Sequence, residues 1–177
     1  MHPTESAVVV RIPEAEGVVG LFRADLDLAD RFGVPAHVTV ISPFVAPDLI
    51  DDGVIGGLAA AVGSVRAFEV TFARVAWFGR TVLWLAPDPA EPFRALTAAV
   101  WHRFPGCPPY GGAHPDLVPH LTIGTDRPAE VLESAARAVE PGLPITASVT
   151  AAALMQGSTE PGSWRTVAEL PLAPAPR

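Results

Sequence analysis

An α+β fold is predicted by the order of the elements, by one clear hairpin and by a short motif that occurs twice. The elements alternate as strand, helix, strand, helix, strand, strand, and then helix, strand, helix, strand, strand. The hairpin joins residues 68–76 to residues 81–86 through a turn at Gly79. The motif His-apolar-Thr-apolar stands at 37–40 and again at 120–123, in opposite halves of the chain.

Hydrophobic periodicity defines the elements of the first half. Apolar residues recur at helical spacing between Glu14 and Phe32, and Gly33 follows as a stop signal. Short apolar runs rich in β-branched residues are typical of strands. We therefore predict, in order, a strand at 6–12, a helix at 14–32, a strand at 36–41, a helix at 48–65 and then the hairpin.

The second half begins with an amphipathic helix and ends with two strands. Between the helix and the second motif, residues 105–119 contain five prolines and three glycines, which predicts a long irregular loop. Pro128 and Gly142 mark the start and the end of a later helix. We predict helices at 91–104 and 129–139, strands at 117–123, 145–155 and 164–170, and a loose tail at 171–177.

Composition narrows the classes of function. A length of 177 residues with 49% hydrophobic residues predicts one domain, 1–177, with a sizeable core. The net charge is −7 and no cluster of arginines occurs, so a protein that grips long or duplex nucleic acid is not expected. Cys107 is the only cysteine, which excludes an internal disulfide. With no signal-peptide pattern and no apolar run of membrane length, we expect a cytoplasmic monomer that does not bind membranes.

The two motifs carry the chemistry. Side chains alternate faces along a strand, so His37 and Thr39 point one way while Val38 and Val40 point the other. The same holds for His120 and Thr122 in the second motif. If the two strands are neighbours, two imidazoles and two hydroxyls converge on one cavity. One imidazole can accept a proton while the other donates one, and the hydroxyls can donate hydrogen bonds to anionic oxygens, which suits cleavage of a phosphodiester without a metal.

The paired motifs resemble those of the two-histidine (2H) phosphoesterase superfamily, and most closely its 2′-5′ RNA ligase and cyclic phosphodiesterase branch. The resemblance implies two pseudo-symmetric lobes of largely antiparallel sheet, with outer helices and a central cleft. It also implies hydrolysis of a 2′,3′-cyclic phosphate, on an RNA end or a small nucleotide, to a 2′-phosphate without metal or cofactor. The reverse reaction would join RNA ends through a 2′-5′ bond. By analogy, His37 is expected to be the acid and His120 the base.

Weaker candidates surround the motifs. Phe44 and Tyr110 are candidates to stack on a base, His114 to line the cleft, and Arg127 to neutralise phosphate, with Arg80 a poorer choice. The alternatives are a phosphate-binding module of the same fold without turnover, a related enzyme acting on an ADP-ribose cyclic phosphate or a 2′-5′ oligoadenylate, and a structural domain with buried histidines. In an assay with 2′,3′-cyclic nucleotides, an enzyme would hydrolyse them, whereas a phosphate-binding module would bind them without turnover.

Overall fold

A single curled sheet organises the molecule. The computed structural model describes residues 2–114 and 116–175, and within them eight strands pair antiparallel in the order β6-β3-β4-β5-β2-β1-β7-β8. The strands are β1 (Glu5–Arg11), β2 (His37–Ile41), β3 (Phe68–Phe78), β4 (Val82–Asp88), β5 (Leu121–Thr125), β6 (Ile145–Val149), β7 (Ala151–Gly157) and β8 (Arg165–Pro171). The sheet forms a half-barrel, which confirms the α+β prediction.

The helices are α1 (Glu16–Leu26), α2 (Leu28–Phe32), α3 (Asp52–Val62), α4 (Glu91–Arg103) and α5 (Ala129–Val139). Four of them, α1, α3, α4 and α5, cover one face of the sheet, whereas the short α2 lies at the edge of the opposite face. Helix α1, which precedes β2 in the chain, packs on β5, and α4, which precedes β5, packs on β2. Each central strand therefore lies against the helix that leads into the other one. In the described residues no helix is both long and apolar enough to span a membrane.

The core lies between the helices and the sheet. Val38 and Val40 of β2 and Leu121 and Ile123 of β5 are each at most 2% exposed and belong to one apolar cluster. Burying an aliphatic side chain of this size stabilises the fold by about 1.5–3 kcal/mol. Because strand side chains alternate, burial of these four residues directs the intervening residues of both strands to the open face.

The two halves of the sheet do not correspond to the two halves of the sequence. The strand predicted at 145–155 is interrupted at Thr150, where β6 ends and β7 begins. Strand β6 pairs with β3, whereas β7 pairs with β1 and with β8. The C-terminal hairpin therefore completes the half of the sheet that begins at the N-terminus.

The helix predicted at 14–32 is divided near its end. Asp27 is extended, and its side chain accepts a hydrogen bond from Ala29 N–H at 3.1 Å, which caps α2. Gly33, with φ 98°, ends α2 in the left-handed conformation that glycine adopts without a steric penalty. Similarly, Asp51 accepts from Val54 N–H at 2.8 Å, so α3 begins later than the predicted residue 48.

The prediction of a loose tail from residue 171 is wrong at its start. Leu172 N–H donates to Thr150 O and Ala173 N–H donates to Val65 O, both at 2.9 Å. Leu172 is also 7% exposed and lies in the core. The buried leucine and the backbone bonds hold 171–173 against the sheet, while residues 176 and 177 of that prediction lie outside the described residues.

Candidate active site

The two motifs meet at the centre of the sheet. Strands β2 and β5 pair with Val38 opposite Leu121. Continuing this antiparallel register by one residue sets His37 opposite Thr122 and Thr39 opposite His120. Side chains opposite each other on neighbouring strands have Cβ atoms about 4.5–5.5 Å apart. Each imidazole therefore lies across from the hydroxyl of the other motif, on the face opposite α1, α3, α4 and α5.

Both imidazoles are oriented in the same way. His37 Nδ1–H donates to Pro35 O at 2.8 Å, and His120 Nδ1–H donates to Val118 O at 2.7 Å. In each motif the acceptor is the carbonyl two residues earlier. A neutral imidazole that donates through Nδ1 carries its lone pair on Nε2. Each ring therefore keeps one nitrogen, Nε2, for proton transfer.

Burial makes both rings reluctant to take a proton. Burial lowers the pKa of His37 to about 4; the bond to Pro35 opposes this change, while the charges of Arg23 and His120 add to it. Burial likewise lowers the pKa of His120, with a smaller contribution in the same direction from His114. Both rings are consequently neutral near pH 7 in the free protein. A bound anion favours the imidazolium form and raises both pKa values.

Tyr110 lies between the two motifs. It lines the same cavity as Thr39, and its ring stacks on His120 with 6.2 Å between ring centroids and 20° between planes. The backbone of Tyr110 is left-handed, with φ 51°, which is uncommon for a residue with a side chain. Burial raises the pKa of the phenol, so the hydroxyl stays protonated at neutral pH. The prediction that Tyr110 stacks on a base stays a prediction.

A cavity lies on each side of Tyr110, whereas the sequence predicted one cavity shared by both motifs. The cavity of about 420 Å³ contains His120 and Thr122, and the cavity of about 240 Å³ contains His37 and Thr39. Apolar side chains make up much of both walls. The larger cavity is lined further by Phe78, Val82, His114, Asp116, Val118 and Thr125. Among the described residues that line the two cavities there is no arginine.

An aromatic wall beside His120 was missed by the sequence analysis. Phe78 contacts the His120 ring edge-on at 5.0 Å between centroids, and Trp84 stacks on Phe78 at 4.7 Å. Trp84 is paired with Thr122 in the sheet, and its buried indole N–H has no acceptor in the part of the chain that the structure describes. The signal was alternation along β4, because Leu83 and Leu85 face the core and Trp84 must face the opposite way.

The weaker candidates have different outcomes. His114 is exposed, lines the larger cavity and contacts the Tyr110 ring edge-on at 5.6 Å. Phe44 is 7% exposed and packs against Phe104 in the core, so the prediction that it stacks on a base is wrong. The Phe44 side chain lies on the core face of the sheet, opposite the face of His37 and Thr39. Arg127 lies outside both cavities and donates to Asp25 O at 3.0 Å, and Arg80 pairs with Glu133 at 3.5 Å on the surface.

The arrangement suits acid–base chemistry on a single phosphorus. Two Nε2 atoms on neighbouring strands can exchange protons with groups on opposite sides of a bound phosphate, and two hydroxyls lie beside them. Within the described residues, no group of three His, Cys, Asp or Glu side chains is placed to hold a metal ion.

Comparison with known proteins gives the family. A family model described as the 2′-5′ RNA ligase superfamily matches residues 12–160. Crystal structures of E. coli LigT with NADP+ and with 3′-AMP both superpose with a TM-score of 0.61 at 16% identity, covering 98% and 97% of this chain and 99% of LigT. TT0787 of Thermus thermophilus superposes with a TM-score of 0.60 at 15% identity, covering 97% of this chain and 100% of TT0787.

No protein with a curated description matches the sequence. The family match includes both histidine motifs and the strands β2 to β7, and the superposed structures share the fold of the whole chain. The chain belongs to the 2′-5′ RNA ligase superfamily, the group of two-histidine phosphoesterases and ligases.

Proposed function

We propose that the protein is a cyclic phosphodiesterase that opens a 2′,3′-cyclic phosphate, on a small nucleotide or an RNA end, to a 2′-phosphate. The observation that carries the proposal is the pair of Nε2 atoms, freed by the same Nδ1–H···O=C bond in both motifs, on two neighbouring strands. Catalysis of this kind needs a base on one side of the phosphorus and an acid on the other. A cytoplasmic monomer without a metal or cofactor is part of the proposal.

The pKa of His37, which burial lowers to about 4, supports a specific division of roles. We assign the neutral base to His37 and the protonated acid to His120, whose pKa burial also lowers. His37 Nε2 then removes a proton from water as the water oxygen bonds to phosphorus. The bond from phosphorus to the ribose 3′ oxygen breaks, and His120 Nε2–H protonates that oxygen. This assignment is the reverse of the one that analogy alone suggested.

The hydroxyls act on the charge that grows during this step. The non-bridging oxygens become more negative as water adds to phosphorus, and hydrogen bonds placed in advance stabilise them. Thr39 and Thr122 are the donors that the register sets beside the two rings. Tyr110 lines the same cavity as Thr39, so its phenol O–H can also donate a hydrogen bond to the phosphate.

The walls of the cavities favour a nucleotide over a long RNA strand. Phe78 and Tyr110 present aromatic surfaces beside His120, and stacking of a base on such a ring contributes about 1–3 kcal/mol. Arginines are missing from the described lining of both cavities, and the net charge is −7, so contacts along an RNA backbone are not favoured. The crystal structures of LigT with 3′-AMP and with NADP+ support the choice of small nucleotides.

The test is hydrolysis of a substrate panel. We expect turnover of 2′,3′-cyclic AMP in the presence of a chelator, with a 2′-phosphate as the product by ³¹P NMR. The panel includes a 2′-5′-linked diadenylate, because the second cavity beside His37 offers space for a second nucleoside, and an ADP-ribose cyclic phosphate. Binding of the cyclic nucleotide without turnover would favour a binding module, and a 3′-phosphate product would contradict the proposed leaving group.

A further inference from the structure

A buried arginine lies behind the His37 motif. Arg23 of α1 is fully buried. Its Nη2 donates to Asp27 Oδ2 at 2.9 Å and to Val34 O at 3.1 Å, while its Nη1 donates to Asp30 Oδ1 at 3.2 Å. Arg23 therefore connects the charged residues around α2 to the backbone that leads into β2. Arg23 is not among the residues that line the two cavities.

Glu16, the first residue of the same helix, binds the backbone at Ala36. Glu16 Oε1 accepts from Ala36 N–H at 2.6 Å and lies 3.9 Å from Arg23 Nη1. The Ala36 carbonyl accepts from Ile12 N–H at 2.8 Å. Helix α1 thus fixes the backbone on both sides of Pro35, through Arg23 before it and Glu16 after it. Pro35 O is the acceptor that selects the His37 tautomer and aims Nε2 at the cleft.

The second motif repeats part of this arrangement. Arg94 Nε of α4 donates to Leu117 O at 3.2 Å. Leu117 stands three residues before His120, just as Val34 stands three residues before His37. Arg94 is exposed and pairs with Glu91, whereas Arg23 is buried among carboxylates. In both motifs, an arginine of a helix donates to the carbonyl of the residue three positions before the histidine. This repetition indicates a common role, and the buried Arg23 is held more rigidly than the exposed Arg94.

We propose that Glu16 and Arg23 are positioning residues for His37: they hold the peptide that aims its ring. The charge of Glu16 also acts on the protonation of that ring. Arg94 has the corresponding but weaker role for His120. The kinetic part of this role rests on the function proposed above. The positioning of the ring can be measured without any substrate.

The charges around His37 determine whether loss of the Glu16 charge raises or lowers the pKa of the His37 ring. Glu16 raises the pKa of His37, whereas Arg23 and His120 lower it. Other ionisable groups face the ring from the neighbouring elements. Glu5 of β1 and Tyr110 line the same cavity, and Arg11 of β1 is the register partner of His37 and is ion-paired with Glu169 of β8. None of these groups is altered by a substitution at Glu16, so a change in the titration of His37 reports the loss of the Glu16 charge.

The first test is Glu16→Gln, with Glu14→Gln as the matched control. The amide oxygen of glutamine can still accept from Ala36 N–H, so only the charge is lost. We expect the NMR titration midpoint of His37 to move down by about half a pH unit, the scale of one nearby charge partly screened by solvent. The exposed Glu14 lies just outside α1, and its substitution should leave the midpoint in place. Equal titration of His37 in both variants would overturn the proposed role of the charge.

The second test is Glu16→Leu, with Glu14→Leu as control, because leucine removes the acceptor as well. The ¹⁵N shifts of His37 should show a mixture of tautomers instead of the single Nδ1–H form. With 2′,3′-cyclic AMP, kcat should fall by about ten-fold or more while KM changes little, since misplacement of a reacting group by a fraction of an ångström is costly. A single Nδ1–H tautomer together with unchanged kcat would overturn the positioning role. If the wild type did not turn over the substrate, the proposed function would fail, and the two NMR measurements would still decide this inference.

Discussion

Replacement of Arg23 by methionine is the perturbation for which the structure gives the clearest magnitude. Methionine keeps an unbranched apolar stem but has no guanidinium, so Asp27 and Asp30 lose their partner, and Val34 O loses its donor. Asp27 is 6% exposed, so water cannot replace the guanidinium without rearrangement. Removal of one member of a buried ion pair costs about 3–5 kcal/mol of unfolding free energy.

This cost should be visible in two kinds of unfolding experiment. In a chain of this size, 1 kcal/mol corresponds to roughly 2–4 °C in melting temperature, so the Arg23→Met melting temperature should fall by roughly 6–20 °C. Urea titrations should give the same loss as a lower midpoint with an unchanged slope. Arg137→Met, on the exposed face of α5, is the control and should change the unfolding free energy by less than about 0.5 kcal/mol.

The pH dependence of the loss has a definite sign. Burial raises the pKa of Asp30, and the charge of Arg23 opposes that rise. Without Arg23, the pKa of Asp30 rises further above its unfolded value, so the folded variant binds a proton that the unfolded chain releases. Its stability therefore improves, relative to wild type, as pH falls from 7 towards 5. A loss below about 1 kcal/mol at pH 7, or a loss that does not shrink at pH 5, would refute the reasoning.

Three further predictions concern the site and the sheet beneath it. Thr122→Val should lower kcat for 2′,3′-cyclic AMP by about 10²-fold with little change in KM, and Thr122→Ser should restore most of it; equal losses in both variants would exclude a hydroxyl contact in the transition state. Gly124→Ala should destabilise the fold by about 1–3 kcal/mol in urea, because a Cβ there would lie 2.8 Å from Leu26 Cβ; a smaller effect would show that α1 can move aside. Because the pKa of His37 is lowered to about 4, the folded wild type should lose stability between about pH 6.5 and pH 4, and His37→Asn should lose less over that interval; identical pH profiles would contradict a neutral buried His37.

Local patterns predicted much of the cleft. The alternation in residues 37–40 and 120–123 placed the imidazoles and hydroxyls on the face opposite the buried Val38 and Leu121. Tyr110, the one tyrosine, lies in a loop of prolines and glycines and is from the sequence a candidate to stack on a base; the structure brings it against His120, and the stacking stays a prediction. These features depend on the period of a strand and on loop chemistry, which neighbouring residues determine.

Long-range pairing was beyond the sequence. Residues 145–155 have the composition of one strand. They are divided at Thr150 because the first part pairs with β3 and the second part pairs with β1. The role of Arg23 was equally hidden: its spacing places it with the buried Val19 and Leu26 of α1, but arginine is rarely buried without charged partners. Three carboxylates from α1, α2 and the segment between them make its burial favourable, and they meet only in the folded chain.

The most direct test of the central claim is a double-mutant cycle on the two histidines. The measured quantity is kcat/KM for 2′,3′-cyclic AMP in wild type, His37→Asn, His120→Asn and the double variant, with melting temperatures to confirm that all four are folded. Because the two rings are proposed to act on one phosphorus in one step, each single variant should lose nearly all the activity, and the double variant should be little worse than either. Losses that simply multiply, or a single variant that keeps substantial activity, would contradict that account.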